Sequence, residues 1–284
     1  MSLTRPYVLF TTTSFYLTAA FLSINRFPPL VPLFVGFIAV AFAIASAHTL
    51  NDYFDTATDK DNPRTAKRAI PSGEVSQGLA LALGMTYGVT AIFFTFLLNT
   101  PSVILGFMAI PLPFVYNLLR KREIPYSFLC TMLAVLFIIL LGSTAITGQY
   151  FSAYILLFVI FGVTWEAGRT LISEVQDVDH DKTTNVTTIS VVISSKHATQ
   201  LSLLLFSIAS IMSIVIGILG QLGLIYLGVA LIASGWLIYR SLELVRTPTQ
   251  PKAICMLSRA PKYLVIICLV IVISILVNVV IFGL

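Results

Sequence analysis

Charge is what this sequence has least of. Only 10% of its 284 residues are Asp, Glu, Lys or Arg, against about 25% in soluble globular domains. Long polar stretches are missing as well. The longest run to roughly twenty residues, too few for an independent core, so no soluble domain is expected. Cysteine is sparse: Cys130, Cys255 and Cys268 lie far apart, in or beside apolar runs. Neither a metal-binding spacing nor a disulfide framework follows from them, and they read as small buried hydrophobes. No small-residue cleavage site follows the first apolar run, which starts directly after Arg5-Pro6. That run is expected to be a membrane helix and not a removed signal peptide.

Apolar residues make up 57% of the chain. They fall into nine segments near 7–24, 31–54, 77–98, 101–119, 126–147, 151–176, 197–219, 222–240 and 262–282, each close to the length that spans a bilayer as a helix. The expected fold class is therefore an all-α polytopic membrane protein, with about nine transmembrane helices enclosing a central cavity in one domain, 1–284. Four breaks are short and carry turn chemistry: Arg26-Phe27-Pro28-Pro29, Asn99-Thr100-Pro101, Gly148-Gln149 and Gly220-Gln221. The other connections are longer and basic. They hold Lys60, Arg64, Lys67 and Arg68, then Arg120, Lys121 and Arg122, then Lys182 and Lys196, then Arg240, Arg246, Lys252, Arg259 and Lys262. If the helices alternate, these fall with Arg5 on one side, and Arg26 alone falls on the other. Positive loops stay cytoplasmic. The expectation is a multi-pass protein of the cell membrane with its N-terminus and active site inside and its C-terminus outside.

The chain has twelve Asp and Glu residues. Four (Asp52, Asp55, Asp59, Asp61) lie between Asn51 and Asp61, and four more (Glu174, Asp177, Asp179, Asp181) between Glu174 and Asp181. Both windows sit at the basic-side end of an apolar segment. Such crowding costs mutual repulsion that a bound cation relieves. Asn51, Asp55 and Asp59 follow i, i+4, i+8, and Glu174, Asp177 and Asp181 follow i, i+3, i+7, so each set shares a helix face. Asp52, Asp61 and Asp179 point off those faces and read as rim charges or as groups standing behind the ligands. Oxygen-only ligands select a hard cation, and Mg²⁺ completes its shell with water and substrate phosphate oxygens. Each window is thus half a site for a metal diphosphate. Arg64, Lys67 and Arg68 follow the first window, and Arg120, Lys121 and Arg122 follow Tyr116-Asn117. Guanidinium forks suit phosphate oxygens. Arg169 differs from these, because it lies inside the sixth segment, where a charge needs an acid partner or a wet cavity. Glu166 is one turn away.

Asn51-Asp52-x-x-Asp55-x-x-x-Asp59 resembles the first signature of the UbiA-type intramembrane prenyltransferases, and Asp177-x-x-x-Asp181 resembles their second. Arg64-x-x-x-Arg68 before Pro71-Ser72-Gly73, Tyr116 before Arg120-Lys121-Arg122, and Arg5-Pro6 are similar to further marks of that family. The resemblance implies Mg²⁺-dependent transfer of a prenyl group from its diphosphate to an acceptor. In that reading Asn51, Asp55 and Asp59 hold one Mg²⁺ and Asp177 and Asp181 a second, with Glu174 as a further ligand or support. Arg64, Arg68, Lys121 and Tyr116 contact the diphosphate. Ala69, Thr170, His180 and Asn185 depart from the family pattern, away from the carboxylates.

Tyr53, Phe54 and Tyr116 are candidates to stabilise an allylic cation, and His48 to line an acceptor pocket. The expected partners are a prenyl diphosphate, a small-molecule or lipid acceptor and membrane lipid. No nucleic acid and no obligate protein partner is expected. An ether-lipid precursor such as geranylgeranylglyceryl phosphate is the favoured acceptor, ahead of a quinone-precursor ring or a tetrapyrrole. The competing class is a cation-coupled transporter, which would place its acids at the bilayer midplane on broken helices.

Overall fold

The computed structural model describes residues 6–61, 65–121, 124–184 and 186–282. Of residues 6, 7, 120, 121 and 282 it describes the backbone alone. Eleven helices occur in this described part: α1 Pro6–Ile24, α2 Leu30–Phe54, α3 Thr56–Asp61, α4 Gln77–Phe96, α5 Thr100–Ala109, α6 Leu112–Lys121, α7 Phe128–Thr147, α8 Ala153–Thr183, α9 Ile189–Leu219, α10 Gly223–Arg246 and α11 Gln250–Phe282. With α5 and α6 taken as one span, eight are long and apolar enough to cross a membrane, and α1 adds the shorter apolar stretch Val8–Ile24.

The helices close into a ring. Neighbours pack in the order α1, α2, α4, α5 with α6, α7, α8, α9, α10 and α11, and α11 returns to α1. Contacts of α1 with α7 and α8, and of α8 with α11, cross the ring and fill its centre. There Phe15 of α1 meets Phe158 and Trp165 of α8, each at 6.0 Å between ring centres, and Phe161 meets Tyr263 of α11 at 6.3 Å. Lipid is as apolar as these side chains, so close approach and hydrogen bonds hold the bundle. Gly142 shows the first: a Cβ there would lie 2.5 Å from the Tyr16 carbonyl oxygen and 2.7 Å from the Ala19 Cβ. Tyr16 shows the second, its hydroxyl donating to the carbonyl of Pro32 at 3.0 Å and so tying α1 to α2.

The turns fit their chemistry. Gly148 caps α7 with φ 71°, a left-handed value that glycine takes without a Cβ clash. Asn99 caps α5, its side chain accepting from the Ser102 amide at 3.2 Å.

Four segments differ from those expected from hydropathy. The segment at 101–119 is broken at Ile110–Pro111, since proline cannot donate to the helix ladder and its ring clashes with the preceding turn. The sixth segment runs on through its polar residues to Thr183, and the last starts at Gln250, twelve residues before Lys262, with Pro261 inside it. The seventh begins at Ile189 and is interrupted at Ser194.

Candidate active site

The first acid window is built where α2 gives way to α3. The Asp55 amide still donates to the Asn51 carbonyl at 2.9 Å and the Asp59 amide to that of Asp55 at 2.8 Å, so the helical register survives the break. Asn51 Nδ2 accordingly reaches Asp55 Oδ2 at 3.0 Å, one turn on. Asp59 is buried, and so is Asp52. Asp52 is thus no rim charge. Arg68 explains both burials: its Nη1 donates to Asp59 Oδ2 at 2.7 Å and to Asp52 Oδ1 at 3.3 Å. The loop that carries Arg68 is fixed by the buried Ala69 and Ile70, by a Val75 amide bond to the Ala69 carbonyl, and by a turn at Gly73 with φ 82°. Asp61 and Asp179 are exposed, as rim positions should be.

The second window lies on the unbroken end of α8. Glu174 is turned toward the start of α9, where its Oε2 accepts from the Ser190 amide at 3.1 Å and the Ser190 hydroxyl at 3.3 Å. A carboxylate at a helix N-terminus satisfies an orphan amide and meets the positive end of the dipole. Asp177 accepts from Gln176 Nε2 at 3.2 Å, and the buried Asp181 lies 3.5 Å from the Thr188 hydroxyl. Among the described residues no three His, Cys, Asp or Glu side chains converge as a finished metal cage. Of the expected diphosphate contacts, Arg64 lies outside the described residues, and Lys121 is described only as the last backbone residue of α6.

Between α2, α4, α5, α6, α7 and α8 lies a cavity of about 630 Å³. Asn51, His48, Tyr116, Arg169 and Ser173 line one end, and apolar or small residues such as Ala91, Leu105, Gly106 and Leu141 line the rest. Ser173 stands one turn before Asp177, and Asn51 one turn before Asp55. Both acid windows therefore continue from the polar end of this cavity. Tyr116 lines it, whereas Tyr53 and Phe54 are not among its walls and instead meet edge to face at 5.2 Å, with Phe54 reaching Phe114 at 5.9 Å.

This arrangement, acids one turn beyond the polar end of an apolar chamber between helices, can be set beside known proteins. Residues 10–260 match the UbiA prenyltransferase family. The chain belongs to that family. It is 24% identical over 237 residues to the digeranylgeranylglyceryl phosphate synthase of Thermococcus sibiricus, covering 82% of this chain and 81% of that one. It is 29% identical over 233 residues to the protoheme IX farnesyltransferase of Methylococcus capsulatus, covering 80% and 76%. The structure of a UbiA homologue from Archaeoglobus fulgidus bound to DMAPP and Mg²⁺ superposes with a TM-score of 0.66 at 17% identity, covering 92% of this chain and 97% of that one. This UbiA-family chain is thus an integral, multi-pass membrane enzyme of the prenyltransferase class, and the transporter reading falls.

Three contributions were invisible to the sequence reading of this UbiA-family site: Arg68 clamping Asp52, Ser190 meeting Glu174, and Ser173 at the cavity mouth. The run Thr187-Thr188 before the apolar Ile189 is a helix-start signal that marks the beginning of α9. Nothing local marks the other two.

Proposed function

We propose that this protein transfers a polyprenyl group from its diphosphate to a membrane-associated acceptor and releases diphosphate, with two Mg²⁺ ions at the acid windows. The observation that carries this reading is the continuity between two acid windows and the polar end of an apolar cavity. The donor set fits the ion. Asn51, Asp55 and Asp59 offer oxygens on one helical face and Asp177 and Asp181 on another, and Mg²⁺ takes few protein carboxylates, leaving positions for water and phosphate. When bound, the ions neutralise charge on the departing diphosphate.

The protein's own residues do the rest. Arg68 holds Asp59 at its post and brings a guanidinium to the diphosphate, a task shared with Arg64 and Lys121. Glu174 is assigned to holding α9 against α8, which keeps Asp177 and Asp181 aimed. The cavity wall excludes water from the allylic cation, and Tyr116 presents a ring to it. The basic loops support a cytoplasmic face for these windows.

The favoured acceptor is an ether-lipid precursor such as geranylgeranylglyceryl phosphate. The cavity of about 630 Å³ is room for one drug-sized ligand, and we assign most of it to the prenyl chain. An acceptor that leaves its own tail in the bilayer suits that volume. The 29% identity to a protoheme IX farnesyltransferase supports a tetrapyrrole as the second reading.

Purified protein with Mg²⁺, geranylgeranyl diphosphate and geranylgeranylglyceryl phosphate should release diphosphate. Asp55→Ala and Asp181→Ala should each slow release by about 10²–10³-fold or more, the scale of removing one preorganised electrostatic contact, while the helical content stays unchanged. Full turnover in either variant, or in EDTA, would overturn the assignment.

A further inference from the structure

Arg169 is a guanidinium inside the span of α8. It lies eight residues before Asp177, about 12 Å deeper along the helix axis. Glu166, one turn earlier, holds it from the side: Arg169 Nε donates to Glu166 Oε2 at 2.9 Å and Nη2 donates to Oε1. The Thr170 hydroxyl adds a bond to Oε1 at 3.3 Å and lies 3.3 Å from the Thr131 hydroxyl of α7. The Glu166 side chain is 9% exposed and that of Arg169 31%. The space that Arg169 opens onto is the cavity, whose wall it shares with Thr170 and Thr131.

An ion pair at this depth is costly to keep, and the hydrogen bonds of Arg169 stay on its own helix. Packing therefore does not account for it. The geometry of the pair does. A guanidinium has five N–H donors in a planar fork. Side-on binding to Glu166 uses Nε and Nη2, and the edge built on Nη1 is left over on a side chain that lines the cavity. Such an edge takes a phosphate or carboxylate through parallel hydrogen bonds. Glu166 balances the charge while the cavity is empty and fixes the plane of the fork.

Resting on the prenyl-transfer reading, we propose that the Nη1 edge of Arg169 anchors an anionic group, phosphate or carboxylate, on the acceptor, and that Glu166 with Thr170 is the device that positions it. The acceptor is then held by its anion about 12 Å inward of Asp177. The reacting prenyl carbon lies between anchor and diphosphate, and the two anions are kept apart. A neutral acceptor of the same shape lacks this contact.

The test compares geranylgeranylglyceryl phosphate with geranylgeranylglycerol, in direct binding and in transfer. The protein is the full chain in detergent with Mg²⁺. Wild type should bind and prenylate the phosphate-bearing lipid at least about tenfold better, the scale of one charge-assisted contact. Arg169→Gln, and the neutral pair Glu166→Gln with Arg169→Gln, should abolish that preference and raise the acceptor KM, leaving the KM for geranylgeranyl diphosphate unchanged. Arg169→Lys, a point charge without the fork, should restore only part of it. The double variant leaves no unpaired buried charge, so a folding defect in the single variant does not blur the result. Equal binding of the two lipids by wild type, or a preference that survives in both variants, overturns the anchor. Binding preference without any transfer supports the anchor and sinks the transfer reading alone.

Discussion

The two acid windows have the same number of acids but are held in place by different means. In the first, α2 ends at Phe54, and a cation from the following loop, Arg68, reaches back to clamp Asp52 and Asp59. In the second, α8 runs unbroken through the window to Thr183, and hydrogen-bond donors at the start of the next helix, Ser190 and Thr188, reach back to Glu174 and Asp181. One window is steadied by charge and the other by the amide and hydroxyls at a helix start. The difference teaches that acids brought together for a metal still need separate support, and that the support follows the local backbone. A broken helix needs a cross-link, and a continuous one needs only its neighbour docked.

The largest effect should come from the ionic clamp. Arg68→Ala leaves Asp52 and Asp59 buried beside no guanidinium at that position, and breaking such a pair costs about 3–5 kcal/mol. Chemical unfolding in detergent should show it. A loss under 1 kcal/mol would mean that the clamp is incidental and that the two windows are supported alike.

A smaller effect belongs to the second window. Glu174→Ala removes a cap from α9 at about 1 kcal/mol, read in the same unfolding experiment. The Mg²⁺ concentration for half-maximal diphosphate release should change little if Glu174 only positions α9. A shift as large as that of Asp177→Ala would make Glu174 a ligand and erase the contrast between the windows.

The smallest expected effect is at Ser194, five residues after Ile189, where φ 77° and ψ 155° interrupt α9. That region of backbone space is open to glycine and strained for serine, by roughly 1–3 kcal/mol. Glycine gives back part of the relief through its freer unfolded chain. Ser194→Gly should raise the unfolding midpoint by the equivalent of about 1 kcal/mol or less. A fall would show that the bond of Ser194 Oγ to His197 Nδ1, 3.1 Å long, outweighs the strain.

Much of this was legible in the residues. Hydropathy marked every crossing, and the i, i+4 spacing placed Asn51 against Asp55 as found. What hydropathy reads is the thickness of the bilayer, so it stopped at residue 176 although the hydrogen-bonded helix continues to Thr183. For the same reason it ran through Pro111, where apolar character persists and the ladder breaks. The spacing rule reaches only one or two turns. It aligned the acids within each window and was silent on Arg68, which is sixteen residues from Asp52 and arrives through a folded loop. It also left Asp52 off the ligand face without showing that the interior side of that helix holds a cation for it. Glu166 and Arg169 were visible as neighbours at one turn, but the opening of Arg169 onto a cavity needed helices α6 and α7 in place.

The length of α8 carries one more consequence. Its 31 residues rise about 46 Å, half as much again as the roughly 30 Å of hydrocarbon. A single rigid rod thus runs from oil to water with a steep gradient of polarity along it. On the proposed prenyl-transfer reading, the diphosphate is released at the acidic end, where the rod reaches the interface, and the allylic cation forms a few residues inward, against its apolar stretch. Heterolysis, the separation of the two charges, then runs along that gradient, and the product that must escape is on the side where escape is easy.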